Sequence, residues 1–417
     1  MSIIFIISLA IILTLADLYF YRAINHFFKG KKFLTKKIVR YSYWGLSVIT
    51  IGFLIFATSY YTSQTTPPKF ARTYVMGIIF IITISKLIGI SFLLIYDIVR
   101  LLSYMTTKIF YRKVEPSPHK NAISRAQFLK KTAVITAAIP FGTLMYGVLK
   151  SAFDYKIHRQ KLYIQNLPNV FSGLKIIQIS DIHSGSFISE DPLKSVVNLI
   201  NNENPDIVFF TGDLVNEISE EALPFINVLS KIVAPMGVYS ILGNHDYGDY
   251  FYDKDDVDSK RHNYQLMKSI HKKMGWKLLL NENHIITKDN NSLAIIGVEN
   301  WGNQARFQKY GDIDKAKIGC ESCNVKMLLT HDPSHWEAQV LKNHADIDVT
   351  FSGHTHGMQF GIKIPGFKWS PSQYLYDQWA GLYKKASQQI YVNTGIGFIG
   401  YPGRVGILPE ITVFELT

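Results

Sequence analysis

The chain has very little cysteine, only Cys320 and Cys323 in 417 residues. Two cysteines cannot form the multiple-disulfide framework of a small secreted domain, and one CxxC pair without a second pair cannot complete a four-thiolate zinc site. A local disulfide, a redox pair and two free thiols stay open as alternatives. Because no thioredoxin-like βαβ pattern surrounds the pair, the sequence disfavours a redox function.

Acidic residues are scarce in the first part of the chain. Residues 1–160 carry 4 Asp and Glu against 21 Lys and Arg, whereas residues 161–417 carry 28 against 23. The formal net charge of +12 therefore comes from the first part, where basic residues flank apolar runs. This pattern indicates membrane topology and argues against a nucleic-acid partner, which would require a basic surface on the second part.

Four apolar runs are long enough to cross a bilayer, which takes about 20 helical residues. They cover residues 2–21, 41–62, 73–99 and 132–149. A cleaved signal peptide would account for only one such run, so the four together predict a membrane domain with four transmembrane helices at residues 1–152. Residues 153–171 are predicted to be a linker, and residues 172–417 a separate domain.

Positive charge is unevenly distributed among the loops between these runs. The first loop carries seven Lys and Arg and the third carries eight, but the second carries only Lys69 and Arg72. The positive-inside rule then predicts that the first and third loops are cytoplasmic. The domain after the fourth run is accordingly predicted to lie on the extracytoplasmic side of the cell membrane.

Asp17 lies inside the first apolar run, and Lys86 lies near the middle of the third. A charge exposed to lipid is costly, so Lys86 is expected to face a neighbouring helix or to extend toward the interface. Asp17 is one available partner, although the sequence does not fix that pairing. Lys86 is also the only feature that favours a transport function.

In the second part, short β-rich apolar runs predict strands, and each run ends in polar residues. Predicted helices at residues 191–202 and 221–232 separate the first three runs, which is the pattern of an α/β fold. The runs lie at residues 174–179, 207–210, 237–242, 326–329 and 347–351. Because loops at the carboxyl ends of strands form the sites of α/β folds, the polar side chains are expected to meet.

These strand ends supply seven side chains that commonly bind metals. They are Asp181, His183, Asp213, Asn244, His331, His354 and His356. Oxygen and nitrogen ligands without thiolate suit divalent ions such as Mn, Fe or Zn. Seven ligands are too many for one ion and sufficient for two, which can clamp a phosphoryl group for in-line attack. Each residue alone is more often a turn, capping or surface residue, so the prediction rests on the set.

The same residues resemble a known family. In chain order, the sequence contains Asp181-x-His183, Gly212-Asp213, Gly243-Asn244-His245-Asp246, His331 and Gly353-His354-x-His356. These match the five motifs of the calcineurin-like metallophosphoesterases over about residues 172–417, and the membrane-anchored bacterial YkuE-like group is the most similar. The resemblance implies a two-sheet α/β sandwich flanked by helices. It also implies hydrolysis of a phosphate ester or anhydride by metal-bound hydroxide.

The resemblance further implies a role for each motif residue. The first ion would be held by Asp181, His183 and His356, the second by Asn244, His331 and His354, and both would be bridged by Asp213. His245 would stabilise the transition state or protonate the leaving group, and Asp246 would orient His245. Asn216 stands where the family often has an acid, which is expected to alter the hydrogen bonds around the ions without loss of activity.

Several neighbours of the motifs are weaker candidates. Residues 247–258 form an acidic, aromatic segment that is predicted to be a mobile rim of the site. His335 and Trp336 follow His331 closely, and a structural role fits them as well as a pocket role. Arg404, in a glycine-rich stretch, is a candidate phosphate contact, with a structural role as the alternative.

The substrate stays open at this stage. A membrane anchor favours a lipid-linked or cell-envelope phosphate substrate, and no motif indicates an obligate protein partner. Some related enzymes cleave the pyrophosphate bond of a UDP-linked diacylated glucosamine, but that activity would need a domain facing the cytoplasm. A non-catalytic membrane sensor is a further alternative, and the presence of all seven ligands counts against it.

Overall fold

The computed structural model describes residues 3–62, 70–110 and 125–417. The chain divides into two compact units, Met1–Tyr146 and Gly147–Thr417, which are called the membrane unit and the C-terminal unit below. Four of the loop charges used in the orientation argument, Lys69, Arg112, Lys113 and Lys120, lie outside the described residues.

The membrane unit is formed by long apolar helices. They are α1 (Ile3–Phe27), α2 (Phe33–Thr62), α3 (Met76–Phe110) and α4 (Arg125–Leu149), with a π-helical turn at Ala71–Val75 before α3. Helices suit these runs because in lipid every backbone N–H and C=O must be bonded within the segment. Four stretches are long and apolar enough to cross a membrane: Ile7–Phe27, Phe33–Phe56, Ala71–Thr106 and Phe128–Phe153. The four predicted spans are confirmed.

Two charges inside the membrane unit pair with each other. The Lys86 Nζ atom on α3 lies 2.6 Å from Asp17 Oδ1 on α1, and the two side chains are only 15% and 7% exposed. The Tyr43 hydroxyl on α2 donates to the same carboxylate oxygen at 3.0 Å. Lys86 also donates to Ser47 Oγ at 3.4 Å. The side chains of three helices thus satisfy one buried ion pair, and Asp17 is the partner of Lys86.

The C-terminal unit contains two six-stranded sheets and a separate hairpin. Its strands are β1 (Lys156–Leu162), β2 (Lys175–Ile179), β3 (Ile207–Phe210), β4 (Val238–Ser240), β5 (Lys277–Leu278), β6 (Glu282–Lys288), β7 (Asn291–Gly297), β8 (Val325–Leu329), β9 (Val349–Ser352), β10 (Ile362–Ile364), β11 (Phe367–Trp369), β12 (Gly381–Lys385), β13 (Gln388–Val392) and β14 (Glu410–Leu416). Its α-helices are α5 (Asp191–Asn202), α6 (Ile226–Leu229), α7 (Val257–Lys273), α8 (Ile313–Ala316) and α9 (Leu341–Asn343).

The first sheet has the strand order β1-β14-β2-β3-β4-β5, and the second has the order β12-β13-β9-β8-β7-β6. Strands β2 to β5 run parallel to one another, and so do β13, β9, β8 and β7. All four residues of β3 are buried, which is typical of a parallel strand covered on both faces.

Alternation along the central strands divides the side chains between two cores. In β3, Phe209 faces the opposite sheet, and its ring centroid lies 5.0 Å from that of Phe351 on β9. Val208 and Phe210 belong instead to the cluster that contains Leu193 and Val196 of α5. The predicted two-sheet sandwich flanked by helices is therefore confirmed.

Two parts of the C-terminal unit differ from the prediction. Residues 153–171 were expected to be a linker, but they contain β1, which pairs in register with β14 from Lys156 opposite Glu410 to Leu162 opposite Leu416. The helix expected at residues 221–232 is instead a 3₁₀-helix, Ser219–Phe225, followed by the short α6. Pro224 lies inside this 3₁₀ stretch, and proline cannot donate the hydrogen bond of a regular helix interior.

The two cysteines are free thiols. Cys320 is buried in the apolar cluster on the outer face of the second sheet, beside Ala316 and Val340. Burial raises the pKa of the Cys320 thiol to about 11, so this thiol is protonated at neutral pH and a poor nucleophile.

Candidate metal centre

Five loops bring the predicted ligands to one edge of the two sheets. Each loop follows a strand at its carboxyl end: Asp181 and His183 follow β2, Asp213 follows β3, Asn244 follows β4, His331 follows β8, and His354 and His356 follow β9. The carboxyl ends of parallel strands open to a common edge, and here both sheets contribute. The structure brings all seven side chains together.

The first group consists of Asp181, His183 and His356, all of which are buried. The His356 Nε2 atom lies 3.2 Å from Asp181 Oδ1 and 3.0 Å from His183 Nε2. The possible ligand atoms of the three residues all lie within 4.8 Å of one another. One ion can therefore contact all three.

The second group consists of Asp213, His331 and His354, with Asn244 beside it. His354 Nδ1 lies 2.8 Å from the Asn244 side-chain oxygen and 3.3 Å from His331 Nε2. The Asn244 amide nitrogen donates to the Tyr250 hydroxyl at 2.9 Å, which turns its oxygen toward His354. This group has the donor set expected for a second ion.

Asp213 lies between the two groups. Its Oδ2 atom is 3.1 Å from His331 Nε2 in the second group and 3.6 Å from His183 Nε2 in the first. Its Oδ1 atom accepts the backbone N–H of His245 at 2.9 Å, which fixes the carboxylate plane. Asp213 therefore occupies the position that a bridging carboxylate requires.

The tautomers of two histidines show that the centre suits cations. His183 Nδ1 lies 3.1 Å from the carbonyl oxygen of Val215, and His331 Nδ1 lies 2.7 Å from that of Thr211. A carbonyl can only accept, so each Nδ1 carries a proton. The neutral His183 ring therefore presents the lone pair of Nε2 to the centre, and His331 Nε2 does so once a cation displaces its second proton. Lone pairs and carboxylate oxygens that converge in a buried space repel one another unless a cation lies between them.

The electrostatics of the protein groups point the same way. Burial lowers the pKa of His183 to about 3 and that of His354 to about 4, so both rings are neutral ligands at pH 7. Burial also tends to lower the pKa of His331, but the Asp213 carboxylate outweighs it and raises that pKa to about 10. Burial raises the pKa of Asp181. The protons on His331 and Asp181 thus reduce the negative charge of the buried carboxylates, and a divalent cation would take over this role on binding.

The backbone at the centre is strained. Five of the seven predicted ligands have left-handed φ angles: Asp181 (52°), His183 (49°), Asp213 (59°), His354 (74°) and His356 (50°). Non-glycine residues seldom adopt this region, and each such residue costs roughly 1–3 kcal/mol. Strained residues lie at three of the five strand ends. The fold therefore fixes the directions of the ligand side chains at the expense of local stability.

Two glycines allow the loops to approach this closely. A Cβ atom on Gly243 would overlap the carboxylate of Asp213, and one on Gly353 would overlap that of Asp181. Any side chain at either position would displace a carboxylate from its group. The glycines of the Gly-Asn-His-Asp and Gly-His-x-His motifs are therefore required by space at the centre.

Asp246 has a different partner from the predicted one. Its carboxylate was expected to orient His245, but its two oxygens accept backbone N–H groups at 2.8–3.2 Å, those of Asp213, Leu214, Val215 and Gly243. The His245 ring is oriented instead by the carbonyl oxygen of Asn216, 2.6 Å from Nδ1. The prediction was wrong because the loops place backbone amides, and no imidazole, around this carboxylate. Asp246 holds together the two loops that carry Asp213 and Asn244.

Three weaker candidates are structural. His335 is buried, with Nδ1 2.9 Å from Thr330 Oγ1, and Trp336 belongs to the core on the outer face of the second sheet. Arg404 is fully buried, and its Nη2 atom lies 3.2 Å from His356 Nδ1 and donates to the carbonyl oxygen of Thr394 at 2.8 Å. Arg404 therefore lies behind a predicted ligand and supports it, away from solvent.

Sequence reasoning missed two residues at the mouth of the centre. The Tyr376 hydroxyl lies 2.8 Å from His354 Nε2. The exposed Arg306 hydrogen-bonds to Tyr376, and the neighbouring Phe307 ring packs 4.9 Å from the His354 ring. No motif marks either residue, because they come from long loops far from the strand ends in sequence.

Two family models match the chain. Residues 1–152 match "Probable Calcineurin-like phosphoesterase, transmembrane domain", and residues 174–358 match "Calcineurin-like phosphoesterase".

Curated relatives are similar over different shares of their length. An uncharacterised metallophosphoesterase of Helicobacter pylori is 28% identical over 419 residues, which cover 99% of this chain and 98% of that protein. YkuE of Bacillus subtilis, an uncharacterised metallophosphoesterase, is 29% identical over 70% of this chain and 98% of its own. A transmembrane protein with a metallophosphoesterase domain from Danio rerio is 29% identical over 67% of this chain, but the match spans only 60% of that protein.

Among solved structures, the NAD nucleotidase of Haemophilus influenzae matches at 16% identity and a TM-score of 0.35, over 55% of this chain and 45% of its own.

The family matches and the sandwich fold lead to one conclusion. The chain belongs to the calcineurin-like metallophosphoesterases and carries the transmembrane domain of that family ahead of its phosphoesterase domain.

Proposed function

We propose that the chain is a membrane-anchored two-metal hydrolase that cleaves a phosphate ester or pyrophosphate bond of a lipid-linked or cell-envelope molecule. The observation that carries the proposal is the pair of buried ligand groups with the Asp213 carboxylate between them. Two divalent ions such as Mn, Fe or Zn, when bound there, would polarise phosphoryl oxygens and lower the pKa of a water molecule. Asp181, His183 and His356 would hold one ion, Asn244, His331 and His354 the other, and Asp213 both.

The surrounding residues hold this arrangement in place before substrate binds. Asp246 fixes the backbone of the loops that carry Asp213 and Asn244, and the carbonyls of Val215 and Thr211 fix two imidazole rings. Rigid placement matters because catalysis by positioned charge requires ligands that do not reorganise during the reaction.

His245 is the candidate proton donor. Its Nδ1 atom is engaged by the carbonyl oxygen of Asn216, so Nε2 is the atom that can give a proton to the leaving oxygen. The His245 ring lies beside the first group, with its centroid 5.0 Å from that of His183. Tyr250 packs on its other side at 4.5 Å and limits its movement.

Arg306 and Tyr376 are placed to bind the substrate phosphate. The guanidinium group of Arg306 is exposed and hydrogen-bonds to Tyr376, whose hydroxyl reaches a predicted ligand of the second ion. A guanidinium group donates two parallel hydrogen bonds to phosphate oxygens. This pair would hold a phosphoryl group over the two ions.

The proposed reaction is tested with the full chain in detergent micelles. Hydrolysis of p-nitrophenyl phosphate and bis-p-nitrophenyl phosphate is measured with added Mn²⁺, for wild type, Asp213→Asn and the control Asp258→Asn, whose side chain is 92% exposed. Metal-dependent turnover by wild type and the control, with none by Asp213→Asn, is expected. A folded wild-type protein that binds no metal and hydrolyses neither ester would contradict the proposal and favour a membrane sensor.

We also propose that the C-terminal unit faces the extracytoplasmic side, on the basis of the loop charges and the four spans. The test is protease treatment of intact spheroplasts that express the full chain. Digestion of the C-terminal unit without lysis is expected. Protection until lysis would place the unit in the cytoplasm, where a nucleotide-linked lipid becomes the preferred substrate class.

A further inference from the structure

The C-terminal unit concentrates its exposed apolar side chains in one segment. Between residues 358 and 375, seven large apolar or aromatic side chains are exposed: Met358, Phe360, Ile362, Ile364, Phe367, Tyr374 and Leu375. Single exposed apolar residues are common, but a cluster on one segment marks an interaction surface.

The hairpin β10–β11 at the centre of this segment has apolar side chains on one face and charged side chains on the other. Cross-strand partners share a face, so the pairs Ile362–Trp369 and Ile364–Phe367 lie on one face, and Lys363–Lys368 lies on the other. The exposed fractions of Ile362, Ile364 and Phe367 are 47%, 58% and 53%. One face of the hairpin is therefore apolar and open.

Both lysines on the other face are exposed, but their amino groups bind the protein. Lys363 Nζ lies 3.2 Å from the Oε2 atom of the buried Glu410. Lys368 Nζ donates to the carbonyl oxygen of Ala380 at 2.6 Å and to the Tyr383 hydroxyl at 3.0 Å. The charged groups of this hairpin are therefore held by protein groups, whereas Ile362, Ile364 and Phe367 are open to solvent.

The short connection between the last membrane span and the C-terminal unit suggests what covers the segment. The fourth apolar stretch ends at Phe153 and β1 begins at Lys156, so only a few residues, at most about 3.6 Å each, separate a membrane span from the C-terminal sheet. A bilayer surface is thus always within reach of the C-terminal unit. The segment also carries Trp369 and Tyr374, residue types that favour the membrane–water interface.

We propose that the β10–β11 hairpin inserts Ile362, Ile364 and Phe367 into the surface of the bilayer that holds the membrane unit. Its apolar face enters the headgroup region, while the lysine face stays bound to the protein. This surface goes beyond the proposed reaction and does not depend on it, since no metal ligand takes part.

The hairpin would also bring the metal centre close to lipid. The segment leaves the centre at His356 and returns to it at Tyr376, whose hydroxyl touches His354 Nε2. Ser370 Oγ, just after the hairpin, donates to the carbonyl oxygen of Gly357 at 2.7 Å and ties the segment to the ligand loop. A phosphate group at the bilayer surface would then meet the ions without leaving the membrane.

The test is photo-crosslinking of the full chain reconstituted into phosphatidylcholine vesicles. p-Benzoylphenylalanine replaces Ile364 or Phe367, and Ile318 in the control, which is 70% exposed and lies outside the segment. These side chains are largely exposed, so the replacements leave the core intact. After irradiation, adducts are identified by mass spectrometry. Phospholipid adducts at positions 364 and 367, several-fold above those at 318, are expected.

Three results would overturn the proposal. Equal lipid adduct yields at positions 364, 367 and 318 would show that the hairpin is in water. Crosslinks to a second copy of the chain, visible as a dimer on a denaturing gel, would make the apolar face a protein interface. Crosslinks within the same chain would show that the face is covered internally. None of these outcomes bears on hydrolysis, so the surface and the reaction can fail separately.

Discussion

Asp17 in the membrane unit and Asp213 in the C-terminal unit are both buried carboxylates, but their surroundings differ. Asp17 Oδ1 meets one cation and one donor hydroxyl, so its charge is balanced by Lys86. Asp213 lies between His183, whose Nε2 presents a lone pair, and His331, which presents one only after it loses a proton, and a second carboxylate lies in the neighbouring group. The first site is complete with protein groups alone, whereas the second has a surplus of acceptors. That surplus distinguishes a metal centre from a structural ion pair.

The largest expected effect comes from removing the cation of the buried Asp17–Lys86 pair. Lys86→Met leaves Asp17 buried without a cation, and loss of one partner of a buried pair costs roughly 3–5 kcal/mol. We expect a correspondingly lower midpoint of thermal unfolding of the full chain in detergent. The double variant Asp17→Asn/Lys86→Met removes both charges and should recover most of the loss. A double variant as unstable as Lys86→Met would contradict the pairing.

Loss of the candidate proton donor should have an effect of similar size on turnover. His245→Gln is expected to lower kcat by roughly 10²–10⁴-fold, because general acid catalysis contributes that much. Metal content, measured by elemental analysis, should be unchanged, since His245 is not among the predicted ligands. His262→Gln, at an exposed position of α7, serves as the matched control. Wild-type kcat in His245→Gln would remove His245 from the mechanism.

Metal binding should stabilise the C-terminal unit, because its metal centre has surplus acceptors, and it should not affect the Asp17–Lys86 pair. At a free Mn²⁺ concentration of 100 Kd, the expected gain in unfolding free energy is about 2.7 kcal/mol for one ion. We expect the midpoint of unfolding of the C-terminal unit to rise by several degrees in wild type and in Lys86→Met, and not in Asp213→Asn. Chelation should reverse the shift. The same rise in Asp213→Asn would show that Mn²⁺ binds elsewhere.

The smallest expected effect is the pH dependence of metal affinity. The pKa values of His331 and Asp181 are raised, so both groups hold protons near pH 7 that a metal must displace. Affinity for Mn²⁺ should therefore rise with pH, by up to about tenfold per pH unit for each proton released. His183, with its pKa lowered to about 3, should not contribute. Titration calorimetry in buffers of different ionisation enthalpy measures the released protons, and a pH-independent affinity would contradict this charge balance.

The metal centre could be predicted from the sequence because its ligands follow strands. A buried parallel strand is a short apolar run, so a polar residue directly after it, such as Asp181 or Asp213, stands out. The resemblance to the calcineurin-like family then implied which ion each ligand would hold. The structure brings Asp181, His183 and His356 together in one group, and Asp213, His331 and His354 in another.

Other features could not be read from the sequence because they depend on tertiary contacts. The carboxylate of Asp246 binds backbone amides, which carry no sequence signal. Tyr376 and Arg306 reach the centre from loops, where spacing is not informative. β1 reads as Lys-Ile-His-Arg-Gln-Lys-Leu without an apolar alternation, since it lies at the edge of its sheet, and only its pairing with β14 identifies it as a strand.

The place of β14 between β1 and β2 has a consequence for biosynthesis. β1 leaves the ribosome soon after the last membrane span. However, β1 and β2 both pair with β14, so neither has this neighbour until residues 410–416 have been synthesised. Until then β1, the first strand after the membrane spans in the sequence, has no neighbour in its sheet, and closing so long a loop is slow. A nascent chain stopped before Glu410 would be inserted in the membrane with an unfinished first sheet. The first sheet should therefore be completed only after β14 has left the ribosome, and quality-control proteases would have their best access before that moment.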